Sequence, residues 1–598
     1  MYNVHFIFPP LAEHSVHGPF LAPFLLSSLL PENKWNVQTN DINIQLVHFL
    51  LEKKTLTELS LSCSQENEKS KYLSHISEYT DEEIQQFSTE VKIRILKIIR
   101  KLFFQVPETI KECFSEQRNY PLVIELFLKN LIVKNKRNQV DIIAFSVPFA
   151  EQIPETLYLS RLIKKEKPHV KIIIGGSQIN LLGSEALNLF LQCNLFDCVC
   201  KGDFTSEIEP LLEKIVQKSD IKYTMYEAAP VSTQVIENIP ACKYKELSGY
   251  YAPVTFSVLV SKGCYWGKCV FCDYKKLSFL KEKQYCVRPV DKVIEEIKQL
   301  QKQNKNVRIF LTSDAVPIPW IDKLCDACIH NKIKLNAKLF LLHSELLTPN
   351  IFRKMAEAGI VSVTFGTENT DEAILFLLKK NFTFDTICNN IKAAAEAGIE
   401  VIVNIIPDVP GITKKSAQKT LQQLKEISRF IASLNVQSFS LTSDTEIALS
   451  PENFNIKTNH THIYSSHGYH SLDFEHTLIT KKEQSEILKD FAGLANEIKA
   501  KKQIHKIMFK GIGERETIAL HPFLLNIDEG IISVYSYAHT NHYEINENEY
   551  LFLNKIQKQC RITYFEFETL YKKSELKNTT MLGFIIKLVS FGIIKKIE

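Results

Sequence analysis

The sequence predicts an α/β protein: a doubly wound first unit, a partial (β/α)6 barrel, and a small C-terminal helical domain of winged-helix character. Two series of short apolar runs alternate with helix-length amphipathic stretches, the pattern of parallel sheets with crossover helices. A stretch carrying Pro230, Pro240, Gly249 and Pro253 separates the two series, and the alternation ends near residue 500. The expected units are residues 1–230, with a helical insertion at about 52–135, a linker 231–252, the barrel 253–480, and a terminal domain 481–598.

In the first unit, Val4 to Phe8 and Trp35 to Leu46 read as strands. Residues 52 to 135 are polar and helical, and the charged stretch Glu66 to Glu90 reads as a solvated insertion. Val140 to Val147, Val170 to Gly176 and Phe196 to Cys200 are apolar strands. Helical spacing fills Ile153 to Lys165, Ser184 to Gln192 and Glu207 to Val216. Ligands of such sheets sit beyond the carboxyl ends of the strands. The second series has strands Thr255 to Val260, Val307 to Thr312, Ile333 to Leu341, Val361 to Phe365, Val401 to Ile406 and Ser438 to Thr442. Helices fit between them, as at Val290 to Asn304, Asn350 to Ala358 and Phe384 to Ala397, and functional loops belong at the strand C-termini. A hairpin through Asp528-Glu-Gly530 and short helices complete the chain.

Composition narrows the function class. With 72 basic and 68 acidic residues, net charge is +4, so no electrostatic footprint for nucleic acid or a membrane surface is expected. Met1 to Leu11 lacks a basic region and contains Pro9 and Pro10, unlike a signal peptide. The apolar stretch Met581 to Ile594 is interrupted by Lys587 and is too short to span a bilayer. Fourteen cysteines without secretory features point to reduced thiols and metal chemistry, and to a cytoplasmic setting.

The chemistry concentrates in Val258-Leu-Val-Ser-Lys-Gly-Cys-Tyr-Trp-Gly-Lys-Cys-Val-Phe-Cys-Asp273, directly after the first barrel strand. Cys264, Cys269 and Cys272 on one glycine-bearing loop can hold three irons of a cubane and leave the fourth without a protein ligand. The rival arrangement is a zinc site completed by Cys286 or a histidine. Cys325 and Cys328 form another CxxC, but at helical spacing, which reads as core packing.

The cysteine loop resembles that of the radical S-adenosylmethionine superfamily, with four residues rather than the usual three in the first gap. Gly263 and Gly267 supply backbone freedom to absorb the extra residue. Phe271 resembles the aromatic that lies beside the adenine. Thr364-Phe-Gly-Thr-Glu-Asn369 resembles the family's Gly-x-Glu segment, and Asn404-Ile-Ile-Pro-Asp-Val-Pro-Gly411 its Gly-Phe-Pro-Gly turn. The resemblance implies that Phe271, Asp314, Gly366 and Glu368 contact S-adenosylmethionine, while Lys338 meets the ligand carboxylate or snorkels to solvent. Ser146-Val-Pro148, Gly175-Gly176 and Lys201-Gly-Asp203 together resemble the cobalamin-binding domain that precedes many such barrels, implying cobalamin contacts at Ser146, Gly175, Gly176 and Gly202. No Asp-x-His occurs, so the cobalt-ligating histidine of the mutases has no counterpart.

Over about residues 1 to 480 the chain is similar to cobalamin-binding radical S-adenosylmethionine enzymes. The resemblance implies a [4Fe–4S] cluster, S-adenosylmethionine and cobalamin as cofactors. It further implies an external electron donor such as flavodoxin or ferredoxin, and methyl transfer to an unactivated carbon. The terminal domain loosely resembles leader-peptide-binding domains, which makes a peptide or other small natural product the expected substrate; the rival reading is a cap that stabilises the barrel. Rearrangement, cyclisation or oxidation without methyl transfer is the alternative within this chemistry; a non-catalytic iron–sulfur or zinc protein is the alternative outside it.

Overall fold

The computed structural model describes all residues except 11–15, 64–67, 116–117, 135–139, 218–223, 246–247, 305–306, 466, 511–516, 529–530, 538–540, 558, 560, 575, 577–579 and 598. The expected turn at Glu529-Gly530 lies outside the described residues.

The first unit is a parallel sheet of β1 (Tyr2–Phe8), β2 (Trp35–Asp41), β3 (Ile142–Ser146), β4 (Lys171–Gly175), β5 (Cys198–Lys201) and β6 (Thr224–Glu227). The strands lie in the order β2-β1-β3-β4-β5-β6, so the winding direction reverses between β1 and β3. Crevices open at such reversals, beyond the strand carboxyl ends. The β2 segment is shorter than expected. Asp41 turns the chain into the helix Ile42–Leu50 by accepting the Ile44 N–H, a side-chain N-cap. The stretch expected to be a solvated insertion is instead packed: Tyr72, Leu73, Ile76, Ile84, Phe87 and Val91 join the core beneath Ile143 and Phe145. Its charges lie on the outer faces of short helices, while its apolar residues recur at helical spacing.

The second sheet runs β7 (Thr255–Leu259), β8 (Arg308–Thr312), β9 (Ala337–Leu341), β10 (Ile360–Glu368), β11 (Glu400–Ile405) and β12 (Ser433–Val436), all parallel and in sequential order. The sixth strand lies earlier than the expected Ser438 to Thr442. Asp408 captures the Ser438 hydroxyl and the Phe439 N–H and turns the chain out of the sheet. Leu441–Thr442 then pairs antiparallel with a long hairpin, β13 (Ile456–Ser465) and β14 (Gly468–His476). Cys325 and Cys328 are buried in the barrel's apolar core, as their helical spacing suggested.

Residues 231–244 are no free tether. Ile236, Ile239, Cys242 and Tyr244 are buried in the barrel core. Arg288 clamps them: it pairs with Glu296 at 2.7 Å and donates to the Ile239 and Leu259 carbonyls, while Glu296 accepts the Cys242 N–H. Removing one partner of such a buried pair costs about 3–5 kcal/mol.

Beyond the barrel, the helix Lys481–Lys510 packs on β12 and on the helix Lys414–Ile427 before reaching the tail. The tail combines strands with helices. Two three-stranded antiparallel sheets accompany the helices Glu547–Ile556, Tyr564–Lys572 and Met581–Ser590. Tyr535 stacks on Tyr72 with ring centroids 3.9 Å apart, tying the tail to the first unit's insertion. Among the described residues no helix is long and apolar enough to cross a membrane.

Candidate active site

The strand β7 ends at Leu259, and the chain then forms a short antiparallel ladder, Ser261–Lys262 with Cys286–Val287. Between the two rungs lies the cysteine loop. Gly263 and Gly267 have φ of +73° and +58°, and a Cβ on either would collide with Gln284, so glycine is required at both turns. Cys264, Cys269 and Cys272 are free, half-buried thiols. Burial raises the Cys269 thiol pKa and pushes that of Cys272 up to about 12, so any metal bound by these thiols would have to displace protons. Among the described residues no three His, Cys, Asp or Glu side chains converge on a single-ion site. Cys286, the expected fourth ligand of a zinc site, turns its thiol to the Thr233 carbonyl at 3.7 Å instead.

Above this loop stands the end of β10. Its register slips between Gly366 and Glu368, and Glu368 takes φ +61°, a conformation non-glycine residues rarely adopt. The slip aims Glu368 at Lys380, whose Nζ lies 3.2 Å from the Glu368 carboxylate and 3.2 Å from the Gly366 carbonyl. The same Nζ sits 5.6 Å from the Phe271 ring centroid. Burial alone would lower the Lys380 pKa, but Glu368 and Cys269 outweigh it and hold the pKa above its ordinary value. The structure therefore brings Phe271, Gly366, Glu368 and the cysteine loop around one buried cation that sequence reasoning missed. Its only signal was a Lys-Lys pair after an apolar helix.

Asp314 lies on the other side, accepting the Gly263 backbone N–H and facing Lys262. Burial raises its pKa and Lys262 opposes the shift. Lys262 also pairs with Asp203 of the first unit, so the residue two before Cys264 joins the two sheets. Lys338 does not belong to this group. It pairs in register with Ser362, six residues below Glu368 on the neighbouring strand, about 20 Å down the barrel at about 3.3 Å per residue.

A second omission is the pair His470–Asp273. The Asp273 carboxylate, next to Cys272, meets His470 Nε2 at 2.7 Å, and Gln178 of the first unit reaches the other ring nitrogen at 3.4 Å. Gly468, with φ +109°, lets the hairpin β13–β14 approach Gln178. The same hairpin hydrogen-bonds the insertion, Tyr469 to the Pro107 carbonyl at 3.1 Å.

An interdomain cavity opens beyond the carboxyl ends of β1, β3, β4 and β5. Ser146, Gly175, Gly176 and Gly202 all line it, and Lys262, Leu277 and Phe279 of the barrel's first loop form its far wall. Gly176 and Gly202 have φ of +117° and +113°. A Cβ on Gly176 would stand 2.6 Å from the Val147 N, and one on Gly202 3.2 Å from the Ala228 N. These glycines let backbones meet and so shape the cavity floor. Asn180 locks that floor by exchanging hydrogen bonds with the N–H and carbonyl of Gly202.

A three-cysteine loop after the first strand of an open parallel barrel, facing a switch-point crevice, defines a class. Residues 258–424 match the model of the Radical SAM superfamily. It is 23% identical over 284 residues to the hopanoid C-3 methylase of Methylococcus capsulatus, covering 45% of this chain and 53% of that protein. An uncharacterized methyltransferase of Pyrococcus horikoshii is 22% identical over 286 residues, 45% of this chain and 61% of that one. The matches thus span little more than half of these relatives' length. The fold is shared with the cobalamin-dependent S-adenosylmethionine radical enzyme OxsB, at 12% identity and TM-score 0.53, over 86% of this chain and 69% of that structure.

Proposed function

We propose that the chain is a cobalamin-dependent radical S-adenosylmethionine methyltransferase acting on an unactivated carbon of a peptide or other natural product. One observation carries this reading: a single loop supplies Cys264, Cys269 and Cys272 and also, through Lys262, Leu277 and Phe279, the wall of the cavity lined by Ser146, Gly175, Gly176 and Gly202. Support comes from the methylase named among the relatives and from the S-adenosylmethionine and aqua-cobalamin bound in OxsB. When bound, a [4Fe–4S] cluster supplies the electron that splits S-adenosylmethionine into methionine and a 5′-deoxyadenosyl radical, and cobalamin carries the methyl group.

The chain's own residues do the rest. The thiolates of Cys264, Cys269 and Cys272 would hold the cluster, which would supply the reducing electron beside S-adenosylmethionine. Glu368 and Asp314 accept its ammonium group, and Lys380 holds Glu368 in place. Phe271 packs against the adenine. Ser146, Gly175, Gly176 and Gly202 seat the corrin, and the interdomain walls keep water away from the reacting carbon. An external one-electron donor, a flavodoxin or ferredoxin, restores the cluster.

The test is anaerobic purification with iron, sulfide and cobalamin quantified, then turnover with methyl-labelled S-adenosylmethionine. Cluster, cobalamin, deoxyadenosine and labelled product together are the expected result. Deoxyadenosine without labelled product would move the reading to radical chemistry without methyl transfer; bound zinc without sulfide would end it.

A further inference from the structure

The barrel's concave face carries chemistry that neither cofactor uses. On β8 and β9 the residues Ile309, Leu311, Leu339 and Leu341 face the helices and are buried in the core. Alternation then puts Arg308, Phe310, Lys338 and Phe340 on the opposite, inner face. Phe310 and Lys338 are direct register partners, and Lys338 Nζ lies 5.4 Å from the Phe310 ring. Phe310 and Phe340 meet edge to face at 5.5 Å. Phe340, although in mid-strand, is 36% exposed, so the inner face is open rather than packed.

Below this aromatic pair the charge is one-sided. Arg308 and Lys338 have no ion pair among the described residues, and the Arg308 Nε is buried without a hydrogen-bond partner. His17 lies beside this row on the surface, its carbonyl accepting the Thr255 N–H at 2.7 Å. Burial lowers the proton affinity of Lys338 and His17; Arg308 adds to this for both, and Lys338 for His17. The acid in this row, Glu400, stands two strands from Lys338, about 10 Å away at about 4.8 Å per strand. Two cations held close in a poorly solvated floor repel, and an anion between them would relieve both.

We propose that this floor anchors the substrate by an anionic group, a carboxylate or phosphate, joined to a flat apolar body that lies against Phe310 and Phe340. The inference rests on the radical S-adenosylmethionine reading and adds a substrate class to it. Anchored about 20 Å below Glu368, at about 3.3 Å per residue, the anion is remote from the reacting carbon, so the substrate is elongated.

The experiment measures binding of four probes to the reconstituted holoenzyme by saturation-transfer NMR and calorimetry: 3-phenylpropionate, phenyl phosphate, the neutral 3-phenylpropanamide and the cationic 3-phenylpropylamine. At least one anion should bind about tenfold more tightly than the amide, with the amine weakest. Which anion wins identifies carboxylate or phosphate. Lys338→Met should erase that preference, and Phe340→Ala should weaken all four probes alike. Amide or amine binding as tightly as both anions, or an anion preference that survives in Lys338→Met and Arg308→Gln alike, would overturn the proposal. Cluster absorbance and deoxyadenosine release, recorded on the same samples, report separately on the radical chemistry.

Discussion

The two six-stranded parallel sheets begin from similar local patterns and arrive at different shapes. In the first, every residue of Ile142–Ser146 is buried, with Ile143 and Phe145 in one core and Ile142 and Ala144 in another on the opposite face. In the second, Arg308–Thr312 buries only alternate residues. Strand order explains the contrast. A reversal between β1 and β3 sends crossover helices to both faces, leaving an open sheet with a crevice at the turn. Five crossovers in one direction keep all helices outside, and accumulated twist curls the sheet around a lumen. One region can thus only hold a ligand on its edge, while the other can enclose one.

Separating the two regions by mutation is the direct way to break this contrast. Cys264→Ala should have the largest effect: loss of iron, of iron–sulfur absorbance and of all deoxyadenosine formation, with cobalamin content unchanged. Gly176→Ala should do the converse. Its methyl would strike the Val147 backbone in a left-handed conformation, which costs about 2–4 kcal/mol and should lower cobalamin retention while the iron–sulfur spectrum persists. Cobalamin lost from the first variant, or iron from the second, would show that the units do not load independently.

Lys380→Met should lower deoxyadenosine formation about 100-fold with the iron content intact, because Glu368 is left as an uncompensated buried charge. Lys380→Arg should recover part of that loss. An unchanged KM for S-adenosylmethionine in both variants would remove Lys380 from the site.

The smallest effect concerns acid stability. His5 in β1 and His343 after β9 are buried, and burial lowers their pKa values to about 4 and about 3. The unfolded chain takes up protons below about 6.5 but the folded one does not, so stability should fall as pH drops from 6.5 toward 4. For His343, stacked on Phe365, this amounts to about 1–3 kcal/mol. In His343→Phe the urea midpoint should change less between pH 7 and pH 5 than in the parent chain.

Residue spacing on its own determined both strand–helix series, the cysteine loop and its glycines, because period and loop composition are properties of adjacent residues. It misplaced the last barrel strand, since Asp408, thirty residues earlier, captures Ser438. It was silent on Lys380, on His470–Asp273, whose partners are 197 positions apart, and on Lys262 with Asp203. Tertiary structure alone decided which lysine stands beside the cysteines and which lies on the barrel floor. A charge's role depends on the dielectric and the partners around it, and those are set only when distant strands come into register.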